Sequence, residues 1–417
     1  MTAGSAPVPR VSTPGLRPPA MRIVMAAHSF PRAEGDIAGA FLWRLAEALV
    51  DRGHGVTVVA PADRGEVGAP LLGKVRVRRV RYAAAAHETL AYQGTMHRLA
   101  TSPVGALNFA RLVRAMGRAV TEEVRASSAN IIHAHWWIPG GLAVRLGDRA
   151  GRPYVVTLHG TDVALARKLP LGHAAMKWVL SPAAAVTAVS SFLANEAAQS
   201  LGLAAPAIPL TPMPLALGRS ADPDAARSGA IFVGRLTKQK AVHDLLAALA
   251  ILKREGAPQD LTIVGDGPER AALKAQAIAL GLNVTFTGFV PPEQVAGYLR
   301  DKRVFVLPSL DEGLGLVVAE ALTQGVPVVA TRSGGIPDLL ADPDAGILVP
   351  HANPGALAHA IRCVVVEDRF RVGAWRAGKV LAERLSPEKV AEGFEAIYAR
   401  VRGGRPSAAA ARVSGRA

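Results

Sequence analysis

The feature that most constrains this 417-residue chain is a rhythm that runs twice and is interrupted once. Short apolar runs alternate with amphipathic stretches: Arg22 to Ala27 reads as a strand, Phe41 to Val50 as a helix, and Val56 to Ala60 as a strand. Further strand candidates are Val75 to Tyr82, Asn130 to His135, Tyr154 to His159 and Val186 to Ser190. From Ala205 to Gly229 the rhythm stops, with Pro206, Pro209, Pro212, Pro214 and Pro223 and no periodicity. It then restarts with strand Ala230 to Val233, helix Val242 to Lys253, strand Leu261 to Val264, helix Glu269 to Leu280 and strand Val284 to Thr287. Strand Val304 to Leu307, helix Leu316 to Gln324 and strand Val326 to Ala330 follow. Strands separated by helices are joined by crossovers rather than hairpins, so the pattern predicts parallel sheets covered on both faces. The chain reads as α/β, with two Rossmann-like halves at 21–205 and 230–386 and a linker at 206–229. A last amphipathic helix at 387–402 is expected to cross back to the first half. Residues 1–20, with five prolines among small residues, and 403–417 read as a flexible leader and a flexible tail.

Half of the residues are hydrophobic, enough for two buried cores. No apolar run reaches the roughly 18 to 20 residues of a membrane-spanning helix, and no hydrophobic segment follows the first charges, so the sequence reads as cytoplasmic. The single cysteine, Cys363, excludes an intramolecular disulfide and reads as a buried thiol. The net charge of +15 is uneven: residues 1–215 hold 23 Lys/Arg against 12 Asp/Glu, and residues 216–417 hold 25 against 21. Arg111, Arg114, Arg118 and Arg125 fall on one side of a helix and make an anionic membrane surface a candidate partner. The basic residues lack the aromatic interleaving of a nucleic-acid-binding module, so no nucleic acid is expected.

In open parallel sheets, ligands collect at the carboxyl ends of strands. After Val233 comes Gly234-Arg235-Leu236-Thr237-Lys238-Gln239-Lys240, a glycine turn with cations ahead of a helix, which suits a diphosphate. Read alone, a glycine followed by basic residues at a strand end is more often an ordinary solvated turn. After Leu307, the segment Ser309 to Leu316 opens a helix carrying Glu320, eight residues beyond Glu312. The two carboxylates could accept hydrogen bonds from sugar and ribose hydroxyls, with the amides of Gly313, Leu314, Gly315 and Leu316 facing phosphate. Alternatively the pair is a helix-start feature with an exposed glutamate.

Taken in order, FVGRLTKQK, IVGDGPE and PSLDEGLGLVVAEALTQGVPVVATRSGGIPDLL resemble glycosyltransferase family 4 over about residues 21–402. The resemblance implies the GT-B fold, two Rossmann-like domains facing a central cleft, and retaining transfer, with hexosyl transfer foremost, from a nucleotide-sugar donor. It implies that Arg235 and Lys240 neutralise the diphosphate, that Glu312 contacts the transferred sugar, and that Glu320 holds the ribose. Gly313 and Gly315 would let backbone amides reach the phosphate and sugar. The segment Thr157 to Asp162 is similar to the family's H-G-x-D motif, which places His159 beside the reacting sugar. A sugar, lipid-linked or small-molecule acceptor would be presented by the first half. No metal or other cofactor is expected.

The chain departs from the family pattern in several places. The loop Pro31 to Phe41 lacks the usual adjacent glycine pair and has Gly35 and Gly39 four apart. Ala241 stands for a glycine, Leu314 for a frequent Phe, and Asp338 for a Glu after Gly334-Gly335, and Pro209 to Pro214 lacks the common Asn-Gly turn. His133 and His135 form an H-x-H that a metal could use, although no third ligand is evident. His135-Trp136-Trp137 reads either as acceptor-side lining or as core. Asp222-Pro223-Asp224, Asp342-Pro343-Asp344 and Gly265-Asp266-Gly267 read as turns. Rival functions are a nucleotide-sugar epimerase or a phosphorylase of the same architecture, and a non-enzymatic basic nucleic-acid-binding protein.

Overall fold

The computed structural model describes residues 19–92, 96, 102–203, 207–216 and 226–404. Most of the leader, the linker stretch 217–225 with Asp222-Pro223-Asp224, and the tail from 405 lie outside the described residues.

The first sheet contains β1 (Arg22–Ala26), β2 (Gly55–Pro61), β3 (Leu71–Leu72), β4 (Val75–Val80), β5 (Ile131–His135), β6 (Tyr154–Leu158) and β7 (Ala185–Ala188), in the order β3-β4-β2-β1-β5-β6-β7. All neighbours are parallel except β3, which pairs antiparallel with β4. Its helices are α1 (Ala40–Asp51), α2 (Pro103–Ser127), α3 (Leu142–Leu146), α4 (Thr161–Lys168), α5 (Gly172–Leu180) and α6 (Ser191–Leu201). The second sheet contains β8 (Ala230–Val233), β9 (Leu261–Val264), β10 (Val284–Gly288), β11 (Val304–Leu307), β12 (Val328–Thr331) and β13 (Gly346–Val349), all parallel, in the order β10-β9-β8-β11-β12-β13. It carries α7 (Val242–Arg254), α8 (Arg270–Ala279), α9 (Pro292–Arg300), α10 (Leu316–Thr323), α11 (Ile336–Leu339), α12 (Pro354–Val366) and α13 (Asp368–Arg384), and α14 (Pro387–Arg402) follows.

The inner strands are buried throughout, as expected of β-branched runs covered by helices on both faces. Strand order reverses beside β1 in the first sheet and beside β8 in the second. Chains leaving these strands diverge, which opens crevices at the carboxyl ends of β1/β5 and β8/β11. Pro209–Thr211 runs along β7, with Ala188 donating to Pro209 O and Thr211 donating to Ala188 O.

Helix α14 packs on α1 of the first half. Tyr398 Oη lies 2.7 Å from His133 Nδ1, and Arg52 and His54 hold Glu395 at 2.6 Å and 2.8 Å. Cys363, read from the sequence as buried, is half-buried at the edge of the core, because the run Cys363 to Val366 winds around an amphipathic helix. The sequence pattern also stops one residue or two from several observed ends, for example Ala185–Ala188 against Val186 to Ser190.

Candidate active site

On the first half, His159 and Gly160 form the turn between β6 and α4. The turn is organised by Asp162, whose Oδ1 accepts from the amides of His159 (3.2 Å) and Gly160 (2.9 Å) while Oδ2 accepts from that of Trp137 (3.0 Å). Burial pushes the Asp162 carboxyl upward, against the pull of these three donors. Trp137 is buried and donates its indole N–H to Asp162 O, so it is core. Trp136 is the cleft-side residue: its ring lies 4.4 Å from that of His159 and 4.2 Å from that of His28. Burial holds His159 well below the usual imidazole range and pushes His28 down to about 4, so this wall is aromatic and uncharged at neutral pH.

The loop before α1 comes close to this wall. Arg32 pairs with Asp36 at 2.7 Å and also with Asp63, and Asp36 accepts from the amide of Ala38. Of the two glycines in the loop, Gly39 is sterically required: a Cβ there would lie 2.3 Å from Ser29 O, whereas one at Gly35 would meet nothing.

On the second half, the loop after β8 is bound to the loop after β11. Leu310 donates its amide to Gln239 O at 2.8 Å, Gln239 Nε2 donates to Asp311 O at 2.5 Å, and Lys240 pairs with Glu312. Arg235 is exposed on the same loop. Ala241, standing for a glycine, adopts the left-handed conformation (φ 46°) that glycine takes without strain, at about 1–2 kcal/mol for a side chain. Glu312 is buried and its carbonyl accepts from the amide of Gly335. Leu314 is buried behind the loop, Gly315 caps α10 with φ 80°, and Leu316 begins the helix.

Glu320, half-buried on α10, lines a cavity of about 430 Å³ with Thr323, Glu293 and, from the first half, Asp36, Trp43 and Arg44. Burial raises its carboxyl, and Arg44 opposes that rise. Arg44 and Trp43 went unnoticed in the sequence because α1 reads there as an ordinary amphipathic helix.

The two walls meet. A Cβ on Gly313 would lie 2.0 Å from His159 O, and one on Gly160 would lie 2.7 Å from the Gly313 Cα, so both glycines permit the backbones to touch. Arg167 reaches Asp311 at 3.2 Å. Asp338 accepts from the amide (2.6 Å) and hydroxyl (2.5 Å) of Ser191 at the start of α6, so the shorter carboxylate that departs from the family pattern serves as a contact between halves. His159, Lys240, Glu312 and Gly313 are thus assembled at one junction, while Arg235 stays on the exposed loop and Glu320 lines the cavity. Elsewhere, Asp342 and Asp344 pair with Arg376, and Arg369 also holds Asp344. Asp266 accepts from the Leu236 amide in a turn. His133 and His135 bind protein groups.

Residues 38–212 match the family model Glycosyltransferase Family 4, and residues 224–373 match Glycosyl transferases group 1. A putative teichuronic acid biosynthesis glycosyltransferase of Bacillus subtilis is 30% identical over 356 residues, covering 82% of this chain and 88% of that protein. A 2-deoxystreptamine glucosyltransferase of Streptomyces kanamyceticus is 28% identical over 397 residues, covering 86% and 98%. Among solved structures, sucrose-phosphate synthase from Thermosynechococcus elongatus superposes with a TM-score of 0.73 at 20% identity, covering 92% of this chain and all of that one. Anabaena HepE in complex with UDP and glucose superposes with 0.65 at 20% identity, covering 91% and 99%. The architecture is GT-B, the relatives are transferases rather than epimerases, phosphorylases or nucleic-acid-binding proteins, and the chain belongs to glycosyltransferase family 4.

Proposed function

We propose that the protein moves a sugar, with retention of anomeric configuration, from a nucleotide-diphosphate sugar to an acceptor hydroxyl in the synthesis of a cell-surface glycan, glycolipid or small-molecule glycoside. The observation that carries this reading is the junction where His159 and Gly160 of one half meet Lys240, Glu312 and Gly313 of the other, beside a cavity that contains Glu320. In this reading Glu320 accepts hydrogen bonds from ribose hydroxyls. The diphosphate sits against the amides from Gly313 to Leu316, and Lys240 and Arg235 answer the charge that grows as the phosphate leaves. These cations replace a metal ion in that task. Glu312 holds a hydroxyl of the transferred sugar, and the incoming acceptor attacks from the same face as the departing phosphate. The neighbour solved with UDP and glucose supports a nucleotide-sugar donor, and the relative named for 2-deoxystreptamine supports a small-molecule acceptor.

A thermal-shift screen of nucleotide sugars and nucleoside diphosphates identifies the donor, since a ligand that binds only the native state raises its melting temperature. With that donor, Glu320→Ala should weaken nucleoside diphosphate binding by roughly 10-fold to 100-fold, the loss of charge-assisted hydrogen bonds of about 1.5–3 kcal/mol. Glu312→Ala should leave that binding nearly intact and lower turnover, and Lys240→Ala should lower turnover most. Parent-like binding and turnover in both glutamate variants would sink the site assignment.

The acceptor side is proposed to work against an anionic lipid surface at the cytoplasmic face. Among the described residues, no helix is long and apolar enough to cross a membrane. On the exposed side of α2, Val104 and Leu107 precede Arg111, Arg114 and Arg118, an apolar end followed by a basic stripe. Arg125, assigned to the same stripe from its spacing, is also exposed and pairs there with Asp148. The protein should float with anionic liposomes at low salt and be released as salt rises. Flotation with neutral liposomes alone would exclude the electrostatic part.

A further inference from the structure

Beneath the cleft, the first half sets three imidazoles side by side, His133 and His135 buried and His159 half-buried. Strands β5 and β6 place them: His133 and His135 share one face of β5 with Ala134 on the other, and the register sets His135 opposite Thr157, two residues before His159. His133 and His135 have no exposed surface, and their rings lie 4.0 Å apart. Both nitrogens of His133 are engaged, Nδ1 with Tyr398 Oη at 2.7 Å and Nε2 with Thr157 Oγ1 at 2.8 Å. Thr211 donates to Thr187, which lies 2.7 Å from Thr157. Whichever way the protons run along this chain, both His133 nitrogens are occupied by Tyr398 and Thr157. His133 is therefore committed to partners other than the cleft.

His135 is different. Its Nδ1 lies 3.1 Å from His159 Nε2, while its buried Nε2 has no hydrogen-bond partner among the described residues. A neutral imidazole has one N–H and one lone pair. A buried N–H without an acceptor is rarer and more costly than an unfilled lone pair, so the orphan Nε2 of His135 is the lone pair and Nδ1 carries the proton. That proton points at His159 Nε2, which must accept it. His159 then carries its own proton on Nδ1, the ring nitrogen with no protein partner among the described residues. Burial keeps both rings neutral, so the arrangement does not depend on which of them is charged.

We infer that His135 is a positioning residue that fixes His159 as its Nδ1–H tautomer, so that His159 offers the cleft a permanent hydrogen-bond donor and cannot act there as a proton-accepting base. Given the proposed glycosyl transfer, the partner of that donor is an oxygen of the transferred sugar. The acceptor hydroxyl must then lose its proton to another group, which agrees with a departing phosphate that collects it.

The test is nitrogen-15 NMR of histidine-labelled, ligand-free protein at neutral pH, with the His159 signals identified by their loss in His159→Asn. The expected result is a protonated Nδ1 and an unprotonated Nε2. In His135→Leu, which keeps much of the volume and removes the donor, His159 should shift toward Nε2–H, and in His135→Asn, whose amide N–H replaces the ring N–H, the parent pattern should return. With the donor found by thermal shift, His135→Leu should lower turnover 10-fold or more with nucleoside diphosphate affinity unchanged, and His135→Asn should restore at least a third of it. A parent His159 protonated on Nε2, or an unaltered pattern in a folded His135→Leu, overturns the inference. The parent spectrum decides the tautomer even if His135→Leu does not fold. Failure to find any nucleotide-sugar donor would reject the proposed function and leave the tautomer, read without ligand, standing.

Discussion

The two halves share a parallel-sheet architecture and use it for opposite chemistry. At the carboxyl ends of the first sheet the site is made of neutral rings, His133, His135 and Trp136 buried and His28 and His159 half-buried, with Asp162 enclosed behind them. At the second, it is made of cationic and carboxylate side chains, Arg235, Lys240 and Glu312 on glycine-bearing loops and Glu320 on α10, and the three histidines of that half, His243, His351 and His359, are all exposed. On the proposed function, the contrast is a division of labour: one wall would recognise by shape and directed hydrogen bonds, and the other would manage charge.

The largest effect expected comes from forcing the walls apart. Gly313→Ala places a methyl group into the carbonyl of His159 and should lower turnover at least about 100-fold, or roughly 2.7 kcal/mol. The melting temperature should change little, because each half keeps its own core, and small-angle scattering should show a larger radius of gyration. Near-parent turnover would mean that the walls need not touch for reaction.

Acid should separate the halves next. His133, buried and held at about 3, binds a proton in the unfolded chain near 6.5 but not in the native state. Its contribution is complete above pH 6.5 and is lost as pH falls toward 3, about 2 kcal/mol by pH 5. His28, His135 and His159 act in the same direction. The raised carboxyl of Asp162 acts oppositely, gaining stability on acidification, but only in the carboxylate range above its ordinary 3.8. Urea unfolding followed by tryptophan fluorescence, to which the first half contributes Trp43, Trp136, Trp137 and Trp178, should show a midpoint that falls from pH 7 to pH 5. A constant midpoint would erase the electrostatic contrast.

The smallest effect concerns one bond. Tyr398→Phe leaves His133 Nδ1 buried without its partner and should cost about 1–2 kcal/mol of stability, read from the same unfolding curves. Arg376→Ala, which breaks exposed ion pairs to Asp342 and Asp344, should be barely measurable.

Much of this was legible in the residues. The doubled strand and helix rhythm marked the two sheets because buried parallel strands must be short apolar runs, and the loops carrying Lys240, Glu312 and Gly313 stood out through the ordered series of segments rather than through any one of them. What was not legible depends on distances across the chain. Nothing local shows that Asp338 would reach Ser191, that Arg44 would share a cavity with Glu320, or that His133 would bind a tyrosine 265 residues away. The stripe on α2 was only partly legible, because helical spacing fixes the side on which Arg125 emerges and not the acid that captures it.

Helix α14 sets a schedule for synthesis. His54 and Glu395, which touch in the native state, are 341 positions apart, so the ribosome releases nearly the whole first half long before its covering helix exists. Until then the face of α1 that α14 covers stays open and His133 lacks the rings of Phe394 and Tyr398, so the nascent first half is unfinished while the second half is being made. A chain stopped before Pro387 would carry both sheets and still lack the last piece of its first one's core.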